Sequence, residues 1–223
     1  MARNLADLVR VPERASAAEA TAGALRELIM TGELRPGARV NEADFIGVLD
    51  VSRNTLREAF RLLHHEKLLV HKLNRGVFVR SLTSADVVDL YRVRRVIECA
   101  AVGQASPEGV ELMAAAVQAG RQAHDERRWA DVGTANIRFH QAVVAQAGSE
   151  RLDELMRQIA AELRLGFLEM TNPREFHRTY LDRNGEIVAA LIERDITEAE
   201  RLLRAYLDDA EQEMLVAFRG MGR

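Results

Sequence analysis

The sequence predicts a mainly α protein in two parts, a winged helix-turn-helix followed by an all-α antiparallel helical bundle. Three observations carry that reading. Three capped, helix-periodic stretches lead into two short apolar or β-branched runs joined by Asn74-Arg75-Gly76. Beyond Ser81 the hydrophobic period is helical to the end of the chain. The two parts also differ in charge: residues 1–80 hold 13 Lys/Arg against 10 Asp/Glu, whereas residues 81–223 hold 18 against 24.

Each element has a local cause. Residues 1–15 lack periodicity and are expected to form a flexible arm. Ser16 and Glu19 make a capping box for a first helix carrying Leu25, Leu28 and Ile29, which Gly32 and the turn Arg35-Pro36-Gly37 terminate. Asn41 opens a short second helix with Phe45, Ile46 and Leu49. After a tight connection at Asp50-Val51, Ser52 caps a third helix, whose apolar side is Leu56, Ala59, Phe60, Leu63 and Leu68. LLVHKL and VFVRSL around the Asn-Arg-Gly turn then read as a β-hairpin wing. The winged helix-turn-helix is thus expected over 16–81 and the helical domain over 82–223. Thr83 with Asp86 caps the first of six further helices, expected near 84–104, 107–126, 129–147, 150–171, 174–193 and 196–219. Ser106-Pro107 and Asn172-Pro173 each place a cap before a proline at the first helical position, and Asp195 caps the last helix.

The 223 residues are 48% hydrophobic, enough to bury two compact cores. A single cysteine excludes an internal disulfide and favours a reducing, cytoplasmic setting. No secretory h-region opens the chain and no long uncharged apolar run occurs, so no membrane partner is expected.

Charge concentrates where the third helix meets the wing. Residues 51–80 hold seven Lys/Arg, two glutamates and three histidines, a candidate footprint for phosphate or simply a solvated basic face. A recognition helix inserts its N-terminal turn into the major groove. Ser52, Arg53, Asn54, Thr55 and Arg57 occupy that turn. Arginine can bond guanine O6 and N7, asparagine can bond adenine N6 and N7, and threonine can touch phosphate or a thymine methyl. Arg61 one turn further, and Lys72, Asn74, Arg75 and Gly76 at the wing, are candidate backbone contacts. Double-stranded DNA is the partner this chemistry selects.

Over residues 16–80 the sequence resembles the GntR superfamily of bacterial regulators, with its VSRxxxREAxxxL stretch and NRGxxV wing. Here these are Val51-Ser52-Arg53, Arg57-Glu58-Ala59, Leu63 and Asn74-Arg75-Gly76-Val77-Phe78-Val79. The family often places an arginine early in the second helix, where this chain has Ala43. That departure puts operator sequence in question more than DNA binding.

In the second part, polar residues fall on stripes that should be buried. Asn136 and His140 lie one turn apart between Val132 and Val143, Asn184 falls between Leu181 and Ile187, and Tyr206 aligns with Leu202, Leu203 and Ala210. Arg94 and Glu98 are a turn apart on the first helix of this part. Each buried polar group costs about 1–3 kcal/mol unless paired. These six either bond one another or line a wet, ligand-binding cavity; taken together they favour the cavity.

This part resembles the FCD effector domain of the FadR subfamily, in its six-helix, VanR-like form. The resemblance rests on Leu90-Tyr91-Arg92-Val93-Arg94-Arg95 with Glu98, on Phe139-His140 before Ala147-Gly148, and on helix order. It implies a homodimer sensing a small organic acid or similar metabolite. Many such domains hold a divalent metal through an Asp-x-x-x-His pair and two further histidines. The corresponding positions here are Asn136, His140, Asn184 and Tyr206, a set too poor in nitrogen and carboxylate donors for zinc or nickel. No tightly bound metal or other cofactor is therefore expected.

The function expected is a ligand-responsive transcriptional regulator, read as a repressor, that binds a pseudo-palindromic operator as a dimer. Two alternatives stand beside it: a DNA-bound architectural dimer whose sensor has decayed, and an enzyme using His140 as a base. No nucleophile–base pair or phosphate-binding loop supports the enzyme, and no catalytic residue is expected.

Overall fold

The computed structural model describes residues 16–170 and 173–220, with the side chains of 173–177 outside the description. The arm expected over 1–15 and the cap expected at Asn172 lie outside the described residues. The chain divides into two compact units, one ending at Arg80 and the other beginning at Ser81. The sequence reading put this boundary one residue later.

In the first unit α1 (Ala17–Thr31) starts as its sequence requires. Ser16 accepts from the Glu19 N–H and the Glu19 carboxylate accepts from the Ser16 N–H, so two otherwise unpaired donors are satisfied. The helix stops at Gly32, whose φ of 83° is left-handed. β1 (Arg39–Val40) and α2 (Glu42–Leu49) follow, and α2 closes on Asp50, itself left-handed at φ 49°. That conformation turns the chain within one residue into the Ser52 cap of α3 (Arg53–His65). Leu25 and Ile29 of α1 pack with Leu56 and Leu63 of α3 in the core. A bidentate pair from Arg26 to Glu66, at 2.7 and 2.6 Å, ties α1 to the end of α3.

Two features differ from the sequence reading. Leu68 is buried but does not belong to α3: the helix ends at His65, and Lys67 at φ 57° turns the chain toward the sheet. The wing has three strands rather than two. β2 (Leu69–Lys72) and β3 (Gly76–Val79) form the expected hairpin, and β1 adds to its other edge, giving the antiparallel order β1-β3-β2. The register pairs Arg39 with Phe78 and Val40 with Val77 on one side, and Leu69 with Val79 and His71 with Val77 on the other.

The second unit consists, among the described residues, of α4 (Ser84–Val102), α5 (Pro107–Asp125), α6 (Trp129–Ala145), α7 (Glu150–Glu169), α8 (Pro173–Ile192) and α9 (Ile196–Gly220). Thr83 and Asp86 form the expected capping box, Ser106 caps α5 before its proline, and Asp195 accepts from Glu198 N–H at 2.9 Å. α5 packs on α6 and α8, and α9 packs on α4 and α8. α5 approaches α6 and α8 closely at Gly120, where a Cβ would come within 2.6 Å of Leu181. α4, α6, α8 and α9 thus surround the interior in which the polar stripes meet. No helix of the described residues is long and apolar enough to cross a membrane.

Candidate functional site

The first turn of α3 divides the candidate base readers by job. Ser52 Oγ accepts from Thr55 N–H at 3.0 Å and lies 2.8 Å from Thr55 Oγ1. These two hydroxyls build the cap and orient the turn. Arg53, Asn54 and Arg57 are exposed. Arg53 and Asn54 hold no partner among the described residues, while Arg57 is tethered to Glu42 of α2 at 3.1 Å and Arg61 to Glu58 at 2.8 Å. Such exposed pairs are worth little and exchange readily for phosphate. With no acidic residue in its first turn, α3 presents a positive dipole end as well as cationic side chains.

At the wing, Arg75 N–H bonds Lys72 O at 2.9 Å. Asn74 and Gly76 adopt left-handed φ of 58° and 98°, which explains the Asn-x-Gly pattern. Lys72 Nζ lies 4.7 Å from the centre of the Phe78 ring. Sequence reasoning missed Arg39. A Cβ on Gly76 would lie in ordinary contact with its guanidinium, at 3.5 Å, so Arg39 places a further cation at the wing turn. A two-residue strand has too little alternation to be seen in sequence.

In the second unit the six candidate effector residues converge, none more than 5% exposed. Glu98 sits between two cations or donors, with Arg94 Nε at 2.5 Å and His140 Nδ1 at 2.6 Å. His140 Nε2 is 2.9 Å from the Tyr206 hydroxyl, which is 3.0 Å from Asn136 Oδ1, and Asn184 Nδ2 donates to the same oxygen at 2.7 Å. One chain of hydrogen bonds therefore links α4, α6, α8 and α9.

The electrostatics follow from burial and from the company each group keeps. Burial alone would raise Glu98, but Arg94 and His140 outweigh it and hold its carboxyl below the usual range. Burial pushes His140 below the ordinary histidine value, against the opposing pull of Glu98. Burial also raises the phenols, Tyr91 to about 12 and Tyr206 well above its usual value. With His140 neutral, its proton faces the Glu98 carboxylate, which can only accept. The single Tyr206 hydrogen is then shared between two acceptors, His140 Nε2 and Asn136 Oδ1. Around this cluster, Arg94 Nη2, the Tyr91 hydroxyl and Asn184 Oδ1 are buried with no hydrogen-bond partner among the described residues.

Among the described residues, cavities of this unit lie beside Met156, Cys99 and Val110, while the six candidates bond one another across the helix interfaces. The donor set does not fit a transition metal. It offers one imidazole already bonded at both nitrogens, two amides, and a phenol held protonated by burial. Among the described residues no group of three or more His, Cys, Asp or Glu could hold a metal ion.

Comparison with known proteins fits both units. Residues 17–79 match the family of bacterial regulatory proteins called gntR, and residues 89–209, more than half of the chain, match the FCD domain. The chain belongs to the GntR family of transcriptional regulators and carries an FCD domain. A structure from Rhodococcus sp. RHA1, described as a GntR transcriptional regulator, is 44% identical with a TM-score of 0.87, covering 91% of this chain and 99% of that one. The Nta operon transcriptional regulator of Aminobacter aminovorans is 28% identical over 190 residues, 83% of this regulator and 89% of its relative. The HTH-type regulator YdhC of Bacillus subtilis strain 168 is 29% identical over 140 residues, and the match spans 62% of YdhC. Some FCD domains bind small-molecule effectors, and the polar cluster of this regulator lies within the matched segment.

Proposed function

We propose that this regulator is a cytoplasmic homodimeric repressor that binds a pseudo-palindromic operator and releases or rearranges on it when a small organic acid enters the helical unit. The observation that carries the DNA-binding half is the first turn of α3, where Arg53 and Asn54 stand exposed and uncommitted behind a hydroxyl cap. Those side chains suit guanine and adenine edges, and a two-fold dimer suits a symmetric operator.

The effector half rests on the incomplete pairing of the buried cluster. Arg94 holds Glu98 through Nε and keeps Nη2 unsatisfied, leaving one edge of a planar fork for a second carboxylate. The Tyr91 hydroxyl and Asn184 Oδ1 offer further bonds to the same guest. An organic ligand fits these groups, whereas a tightly bound metal does not. Entry requires the helices to part, so the ligand has unequal affinity for closed and open arrangements, the condition for changing the DNA-binding state. A catalytic role for His140 has less support: the ring is 2% exposed and both nitrogens are engaged.

A second reading has its own observation. Asn136, Asn184, Tyr206 and His140 satisfy much of one another's bonding, as a decayed sensor serving only to tie four helices together would. A thermal-shift screen against small mono- and dicarboxylates separates the two. A specific effector at about 100 times its Kd adds about 2.7 kcal/mol and raises the melting temperature by several degrees. An unmoved melting temperature across the screen supports the decayed sensor.

A further inference from the structure

The first unit contains an open groove of about 880 Å³ between α3 and the sheet. Its floor is apolar, formed by Val40, Phe60, Leu69 and Val77, and its rim carries Arg57, Arg61, His64, His65 and His71. Cross-strand partners share a face of a sheet, so the pairings of Val77 with both Val40 and His71 put these three on the groove side. Half of the chain's six histidines thus line one surface, and all three are exposed. The charged groups on this groove are Arg39 from β1, Glu42 from α2, and Arg57 and Arg61 from α3; β3 adds none. Glu42, the only carboxylate lining the groove among the described residues, is already engaged by Arg57, and Arg61 is engaged by Glu58 beside the rim.

We infer that this groove seats a sugar–phosphate strand of duplex DNA, and that His64, His65 and His71 take up protons as the strand binds. The inference rests on the DNA-binding reading above and deepens it. Arg57 of α3 and Gly76 of the wing turn both line the groove, so a strand running from the α3 readers to the wing crosses it. Deoxyribose presents an apolar face to Val77, which is half-buried, and phosphates meet the cationic rim. A polyanion favours the imidazolium form, and linkage is reciprocal: if phosphate stabilises the protonated rings, protonation strengthens phosphate binding. Protonation of the rings and phosphate binding therefore reinforce each other, and operator affinity becomes proton-linked.

The test uses the full-length protein and a labelled duplex from its own upstream region. Fluorescence anisotropy is recorded at fixed ionic strength at about pH 6 and about pH 8, for wild type and for the triple variant H64Q/H65Q/H71Q. Circular dichroism confirms that the variant, altered only at exposed positions, folds. Wild type is expected to bind about tenfold more tightly at the lower pH, with a steeper dependence on salt because each phosphate neutralised adds about 0.9 to the slope. The variant should lose most of that difference, so that its affinity changes little between the two pH values. An unchanged pH response in the variant, with both proteins binding, overturns the proton-linked groove and points to a small anion or a peptide as its occupant. Failure of wild type to bind at either pH overturns the DNA-binding reading along with it.

Discussion

The two units put the same residue types to opposite uses. In the first, Arg53, Asn54 and Arg57 stand at the surface, two of them uncommitted and the third in an exposed ion pair. In the second, Arg94, Asn136 and Asn184 are buried within a few ångströms of their partners. Exposure makes the first set cheap to rearrange and poor at stabilising the fold, which suits the proposed exchange of water for DNA. Burial makes the second set expensive to disturb, because an unpaired group in the interior costs far more than a lost surface pair. A ligand that satisfies Arg94 Nη2 and Asn184 Oδ1 therefore has strong leverage on helix packing, whereas a surface mutation in α3 has almost none.

The contrast breaks most visibly at Glu98. Replacing it by alanine leaves Arg94 and His140 buried without their shared anion, and urea unfolding should show a loss of about 3–5 kcal/mol. A change below about 1 kcal/mol would mean that the cluster is not under electrostatic tension. Arg53→Ala should do the reverse. Operator affinity is expected to fall by about 1–3 kcal/mol with relaxed preference at one base position, while the melting temperature stays within a degree or two of wild type.

Acid should separate the units further. His140 is held below its ordinary value of 6.5, so the unfolded chain binds the proton more readily and stability falls as pH drops below about 6.5. Glu98, held below its ordinary 4.5, adds stability that is present above that value and is lost as pH falls below it. Denaturation midpoints between pH 7 and pH 4 should decline, and His140→Gln should flatten the upper part of the decline. The smallest effect belongs to Arg61→Ala, for which we expect a uniform, few-fold weakening across sequences and a salt slope shallower by about one. Selective loss of one operator base preference would instead make Arg61 a reader.

How much of this was legible in the sequence depended on how local its cause was. Ser16, Thr83, Ser106 and Asp195 cap helices through neighbours three residues away, and the sequence reading placed them correctly. Asn136, His140, Asn184 and Tyr206 were found because a 3.6-residue period puts them inward, and burial agrees. Their pairing was not legible, because His140 meets Glu98 across 42 residues and Tyr206 across 66. Without those contacts a cluster bonded to itself and a wet cavity have the same pattern. Leu68 fits the helical period of α3, yet Lys67 ends the run in a left-handed conformation that lysine rarely advertises. β1 is two residues long and exists because β3 offers it an edge, a tertiary cause with no local trace.

The central claim is that α3 and the wing bind DNA, and the most direct measurement is an anisotropy titration of the full-length protein against a duplex from its own upstream region at low salt. The account expects saturable binding of two chains per duplex, tighter than to a scrambled duplex and weakened by Arg53→Ala. Absence of binding under those conditions, or binding indifferent to both sequence and Arg53, would contradict it.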